Sequence, residues 1–272
     1  MNPWIRIIRP INGVMGILAT FISGLIGSGL KIGHFILPVS VAALSVFLVT
    51  SGGNIINDVV DVETDRINHP RRPLVTGEIS VKSAKIAVAV AFILAFVLSA
   101  AFVSLLAASV VILAELFLIA YEFRTKKLGL SGNIMISILV GLIFIFGGIA
   151  VNSLDRMIIL FFMAMLANLS REIIKDIEDI NGDTDRITFP KRHGIRFAAY
   201  VAASSVIIAV MASYIPYYLK IFGVYYLIPV AISDLMFLVS ASLITRSPGR
   251  SQQVSKVAMI LGLVSFAVGG LT

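Results

Sequence analysis

A chain of 272 residues that is 58% hydrophobic and only 14% charged, with a mean hydropathy of +0.98, is not a soluble domain. It reads as an all-α, polytopic membrane protein, and residues 1–272 read as one transmembrane domain. The net charge of +7 lies in short loops between apolar runs, which points to anionic headgroups and phosphorylated substrates and away from nucleic acid. Cysteine is absent, which excludes disulfides, thiolate metal sites and a cysteine nucleophile.

Nine apolar segments are long enough to span a bilayer, near 9–30, 36–57, 83–101, 102–121, 133–152, 156–175, 196–214, 221–244 and 254–272. The first has no small-residue cleavage site behind it and reads as a retained helix. Segments one, five and nine carry small residues (Gly13, Gly16, Gly24; Gly141, Gly147, Gly148; Gly262, Gly269, Gly270) that let helix backbones approach closely. Of the lysines and arginines, 19 flank the N-terminus and the loops after segments two, four, six and eight. Only Lys31, Arg156 and Lys220 lie in the others. That asymmetry places the N-terminus and the polar loops in the cytoplasm and the C-terminus outside.

The second segment ends in SGGNIINDVVDVETDRINHPRRPLVTG, Ser51 to Gly77. On a helix, Asn54, Asp58, Asp61 and Asp65 fall on one face, with Asn57 one turn before Asp61. Like charges stacked in this way repel and are costly to desolvate, so a cation belongs among them. A hard divalent ion suits carboxylates and an amide carbonyl best. Pro73 is expected to keep the following loop from continuing as helix.

Segment six ends in REIIKDIEDINGDTDRITFPKRHG, Arg171 to Gly194. Asp58, Asp61 and Asp65 recur there as Asp176, Asp179 and Asp183, an offset of 118. The TDRI, proline and basic-pair sequence follows at an offset of 120. The chain therefore holds an internal repeat, with motifs at 54–74 and 172–192. Four spans separate the copies, so both acidic ridges emerge on one side. Two parallel halves would then bring them face to face across a central cavity.

Facing carboxylate ridges can hold Mg²⁺ with part of its shell open to substrate phosphate. Arg71, Arg72, Lys126, Lys127, Lys191 and Arg192 crowd the same side and suit phosphate oxygens. Metal ions, guanidinium groups and an apolar bundle together describe a site for a lipid diphosphate.

These residues resemble a known family. Asn57, Asp58, Asp61 and Asp65, followed by Arg71-Arg72-Pro73-Leu74 and Gly77, are similar to the NDxxDxxxD…RPLxxG motif of the UbiA superfamily of intramembrane prenyltransferases. Asp179 and Asp183 resemble its second DxxxD motif. Arg9-Pro10-Ile11-Asn12 resembles its opening RPxN, and Tyr121, Lys126, Lys127 and Gly132-Asn133 resemble its central segment. The resemblance implies nine helices around a cavity open sideways to lipid, and Mg²⁺-dependent transfer from a polyprenyl diphosphate.

Carried over by position, the resemblance makes Asn57, Asp61, Asp65, Asp179 and Asp183 metal ligands, supported by Asp58 and Asp176. Arg72, Lys127, Lys191 and Arg192 would hold diphosphate, and Tyr121 would stabilise the allylic cation. Arg9 and Asn12 would border the acceptor. The second copy departs from the first at His193-Gly194, where Pro73-Leu74 stood. The short outer loops and REIIKDIEDINGD resemble the archaeal ether-lipid branch, whose members join a geranylgeranyl group to the glycerol hydroxyl of geranylgeranylglyceryl phosphate. The competing readings are an aromatic prenyltransferase of quinone synthesis and a transporter of divalent cations or phosphate compounds.

Two carboxylates stand inside segments. Asp234 reads either as a cavity-wall residue or as a helix–helix hydrogen bond, and Glu115 reads as structural. Pro229 is expected to bend segment eight, and Pro190 to stop the second loop from continuing as helix.

Overall fold

The computed structural model describes residues 2–180 and 187–271, without the side chain of Lys127. Eight stretches of helix are long and apolar enough to cross a membrane. The first, Pro10–Val60, contains two helices joined by a 3₁₀ turn at Gly29–Phe35. Gly13 meets Phe47, Gly16 meets Val46 and Gly24 meets Val39, so the chain folds back on itself there. The expected count of nine segments rests on dividing that stretch in two.

In chain order the helices are α1 (Pro3–Ile8), α2 (Pro10–Ser28), α3 (Ile36–Val60), α4 (Val62–Asn68), α5 (Val81–Phe102) and α6 (Leu105–Phe123). Then come α7 (Leu130–Ile149), α8 (Met157–Glu178), α9 (Phe189–His193), α10 (Ile195–Ala212), α11 (Ile215–Tyr218), α12 (Leu227–Leu243) and α13 (Pro248–Gly270). The 25 residues of α3 span about 37 Å, more than the hydrocarbon thickness of a bilayer. Its last turns, with Asn57 and Asp58, therefore reach the polar edge.

Both acidic stretches break at the corresponding residue. Asp61 ends α3 with φ −93° and ψ 9°, and Asp179 ends α8 with φ −85° and ψ 4°. The expected single helical face thus continues past Asp61 only after this break, as α4.

Three other expectations need correction. The α-helix of segment eight begins at Leu227 because a bend and a 3₁₀ turn at Val224–Tyr226 occupy its predicted start at 221. Pro229 then sits in the first turn of α12, where no intrahelical N–H is required, and does not bend it. Pro190 likewise lies in the first turn of α9, so it starts a short helix in the loop.

The long helices close into a ring: α2 packs on α3, α7 and α13, and α13 returns to α8. Small residues make the seams, since Gly147 abuts Ser23 and the Thr20 carbonyl, and Gly270 abuts Ile26. Aromatic packing of Phe144, Phe222, Tyr226 and Phe266 fills the end away from the acidic breaks.

Candidate active site

The ring encloses a cavity of about 770 Å³ to which every long helix except α5 contributes. Its polar mouth carries Asn54 and Asn57 from α3, Tyr121 and Glu122 from α6, and Arg171, Glu172 and Lys175 from α8. Deeper walls are apolar, with Val49, Val111, Leu118, Ile143, Phe146 and Leu263. The two repeated segments therefore face one chamber.

Arg9 links the N-terminus to this mouth. Pro10 opens α2 and disfavours right-handed helix in the residue before it, and Arg9 takes a left-handed conformation at φ 49°. Its Nη2 donates to Asn57 Oδ1 at 3.2 Å and to Asp58. The Asn54 amide donates to the Ile8 carbonyl at 2.9 Å and steadies the corner. Arg9 thus sits on the aspartate ridge, while Asn12 lies farther along α2 on the cavity wall.

The ridge is neutralised residue by residue. Asp58, only 2% exposed, pairs with Arg9 and with Arg72 Nη1 at 3.1 Å. Asp65 is buried and pairs with Arg72. Asp61 pairs with Lys126, whose Nζ also lies 3.1 Å from Glu122 Oε2. The Asn57 amide donates to Asp61 and to both Glu122 oxygens, each at 3.1 Å.

In the second copy, Asp176 is buried and accepts from the Asn133 amide at 2.9 Å. Asn168 donates to Ser137 at 3.3 Å, and Ser137 donates to the Asn133 carbonyl at 2.6 Å. This chain of bonds ties α7 to α8 beneath the acidic break. Asp179 is half-buried at that break, whereas Asp183 lies outside the described residues. Lys191 and Arg192 are exposed in the last turn of α9, away from the cavity lining.

Glu122 and Asn168 escaped the sequence reading, and Asn133 entered it only as part of the central motif, without a role. Glu122 stands four residues before Lys126, the helical spacing of an ion pair, and that was the available signal. Asp234 satisfies both readings given for it. It lines the cavity and accepts from Ser213 Oγ at 2.7 Å across to α10.

Among the described residues, no three His, Asp or Glu side chains converge into a ready cation cage. The donor set still fits Mg²⁺ in kind, because Asn57 on the cavity lining, Asp61 bonded to it, and Asp65 farther along the ridge offer hard oxygens. Those oxygens already attract positive charge, supplied here by Arg9, Lys126 and Arg72.

Residues 17–267 match the UbiA prenyltransferase family. Digeranylgeranylglyceryl phosphate synthase of Methanosphaera stadtmanae is 37% identical over 278 residues, covering 100% of both chains. That of Methanothermobacter thermautotrophicus is 38% identical over 279 residues, covering 100% of this chain and 97% of the other. A solved structure of digeranylgeranylglyceryl phosphate synthase superposes with a TM-score of 0.84 at 37% identity, covering 99% of this chain and 98% of that one. A UbiA homolog from Archaeoglobus fulgidus bound to GPP and Mg²⁺ shares the fold, with a TM-score of 0.67 at 16% identity and 99% of each chain covered. The chain is a multi-pass membrane enzyme and belongs to the UbiA prenyltransferase family.

Proposed function

We propose that this prenyltransferase moves a geranylgeranyl group from geranylgeranyl diphosphate to the free glycerol hydroxyl of geranylgeranylglyceryl phosphate, with Mg²⁺. The observation that carries the reading is one chamber with a charged mouth and an apolar interior, lined by both repeated segments. Its full-length similarity to digeranylgeranylglyceryl phosphate synthases supports the choice of acceptor.

Asn57, Asp61, Asp65, Asp179 and Asp183 would hold Mg²⁺, and Asp58 and Asp176 would fix their surroundings. Bound there, the metal would neutralise charge gathering on the departing diphosphate. Arg72, Lys126 and Lys127 would hold that diphosphate at the mouth, with Lys191 and Arg192 approaching from the loop side. The apolar walls would receive the isoprenoid tail and exclude water from the allylic carbon. Tyr121, at the polar mouth of the chamber, would face the positive charge at that carbon. The allylic C–O bond breaks with its electron pair leaving on diphosphate. The glycerol oxygen then bonds to that carbon and loses its proton.

Purified protein in lipid nanodiscs, given geranylgeranyl diphosphate and geranylgeranylglyceryl phosphate, is expected to form the diether phosphate, detected by mass. EDTA should abolish the product and added Mg²⁺ should restore it. Exclusive prenylation of an aromatic acceptor, or full turnover in EDTA, would overturn the reading.

A further inference from the structure

The repeat places three pairs of equivalent residues on the walls of one cavity. At an offset of 118, Gly53, Asn54 and Asn57 of α3 correspond to Arg171, Glu172 and Lys175 of α8. All six line the chamber. The aspartates behind them are kept in kind, Asp58 with Asp176 and Asp61 with Asp179. The cavity-facing positions are not: one wall is neutral and the other carries two cations.

A third cation joins the second wall from α13. Gly249 abuts Glu178, and Ala258 shares an apolar cluster with Ala167, so α13 runs antiparallel to α8 and Lys256 falls level with Arg171. Lys256 lines the chamber, is exposed, and makes no ion pair among the described residues. Arg171 pairs with Glu172, and Lys175 Nζ lies 3.9 Å from the same carboxylate. One acid against three bases leaves this wall with an excess of two positive charges. Asp234, on the neighbouring α12, is the other carboxylate of this part of the lining and is held by Ser213.

A phosphate monoester carries close to two negative charges near neutrality. We infer that Arg171, Lys175 and Lys256 form a second anion site, separate from the diphosphate grip on the α3 side, that binds the phosphate of the acceptor lipid. The site lies where an acceptor can enter from the bilayer. The exposed Ile11 of α2 and Ile260 of α13 both border the chamber, and these helices meet near Ile26 and Gly270 at the far end. Held by its phosphate at this wall, the lipid would present its glycerol hydroxyl toward the allylic carbon in the chamber. The acidic turns of both halves would then serve the donor, and the cavity-facing cations found only on the second half would serve the acceptor.

The inference rests on the proposed acceptor, and kinetics can separate the two. Wild-type protein is assayed with geranylgeranyl diphosphate and either geranylgeranylglyceryl phosphate or its dephosphorylated alcohol, beside Lys175→Gln, Lys256→Gln and Lys256→Arg. Each Gln variant should raise KM for the phosphorylated acceptor roughly tenfold or more, the scale of a lost charge-assisted contact, while KM for the diphosphate donor stays unchanged. Preference for the phosphorylated acceptor over the alcohol should collapse in Lys256→Gln and return in Lys256→Arg. Inorganic phosphate should compete with the acceptor and not with the donor. If the wild type prenylates the phosphorylated acceptor but Lys256→Gln leaves its KM unchanged, or raises donor KM equally, the second anion site is wrong and the proposed reaction stands. If the wild type ignores the phosphorylated acceptor, both fall.

Discussion

Asp58 and Asp61 are three residues apart, yet their surroundings assign them different work. The Asp58 carboxylate is 3% exposed and touches two arginines, so it is a fixed part of the scaffold that joins α2, α3 and the loop at Arg72. The Asp61 carboxylate is 26% exposed at the helix break, and Lys126 answers it alone among the described cations. Asp58→Ala strips the common partner from two half-buried guanidinium groups and should cost about 2 to 3 kcal/mol, because such cations lose their compensation but keep some solvent. Asp61→Ala should leave the melting temperature near that of the wild type and abolish prenyl transfer. Thermal unfolding and product formation, measured on both variants, check the division; full activity in Asp61→Ala would sink the ligand role. The aspartates were legible in sequence because helical spacing and hydropathy are local properties. Their partners were not, since Glu122, Lys126, Asn133 and Asn168 arrive from other helices and only packing decides which of them meet. Arg171 and Lys175 stand at the repeat positions of Gly53 and Asn57, so the sequence shows that the two copies differ there but not that the difference faces a cavity.

At the scale of elements, the corresponding ends of α3 and α8 are the clearest trace of duplication. Each helix stops at the middle aspartate with nearly the same backbone angles, so the repeat is one of geometry as well as of letters. Segment boundaries were legible to within three residues in α5 and α7, where apolar residues dominate. They were misplaced where polar residues are helical, as at Arg250 and Gln252 in α13, or where an apolar run is folded as turn, as at Ile221 to Tyr226. Hydropathy reports burial in lipid and not hydrogen-bonding state, which accounts for both errors. The glycine seams can be tested directly. A Cβ on Gly147 would lie 2.6 Å from Ser23 Cβ and 2.9 Å from the Thr20 carbonyl, so α7 could not keep its distance from α2. Gly147→Ala should therefore destabilise the bundle by about 1 to 3 kcal/mol, the usual range for overpacking, and lower its melting temperature in detergent. Gly33, with nothing around it, should accept alanine without change.

For the whole molecule, the chamber exists because the ring of helices closes through α13 onto α2 and α8, bringing the two halves around one volume. A site shared between repeated halves requires both acidic turns to open on the same side of the membrane. We propose, from the distribution of lysine and arginine, that this side is the cytoplasm. The chain contains no cysteine, so single cysteines placed at exposed positions would report sidedness without background. Arg71 follows the first acidic turn and His193 the second, while Lys31 and Asp155 occupy opposite-end turns; all four are exposed. A membrane-impermeant maleimide applied to intact cells should label Lys31→Cys and Asp155→Cys. It should reach Arg71→Cys and His193→Cys only after the membrane is permeabilised. Labelling of Arg71→Cys and His193→Cys from opposite sides would separate the two ridges, and with them the shared chamber. Labelling of both from outside would keep the chamber and reverse the compartment from which diphosphate must arrive.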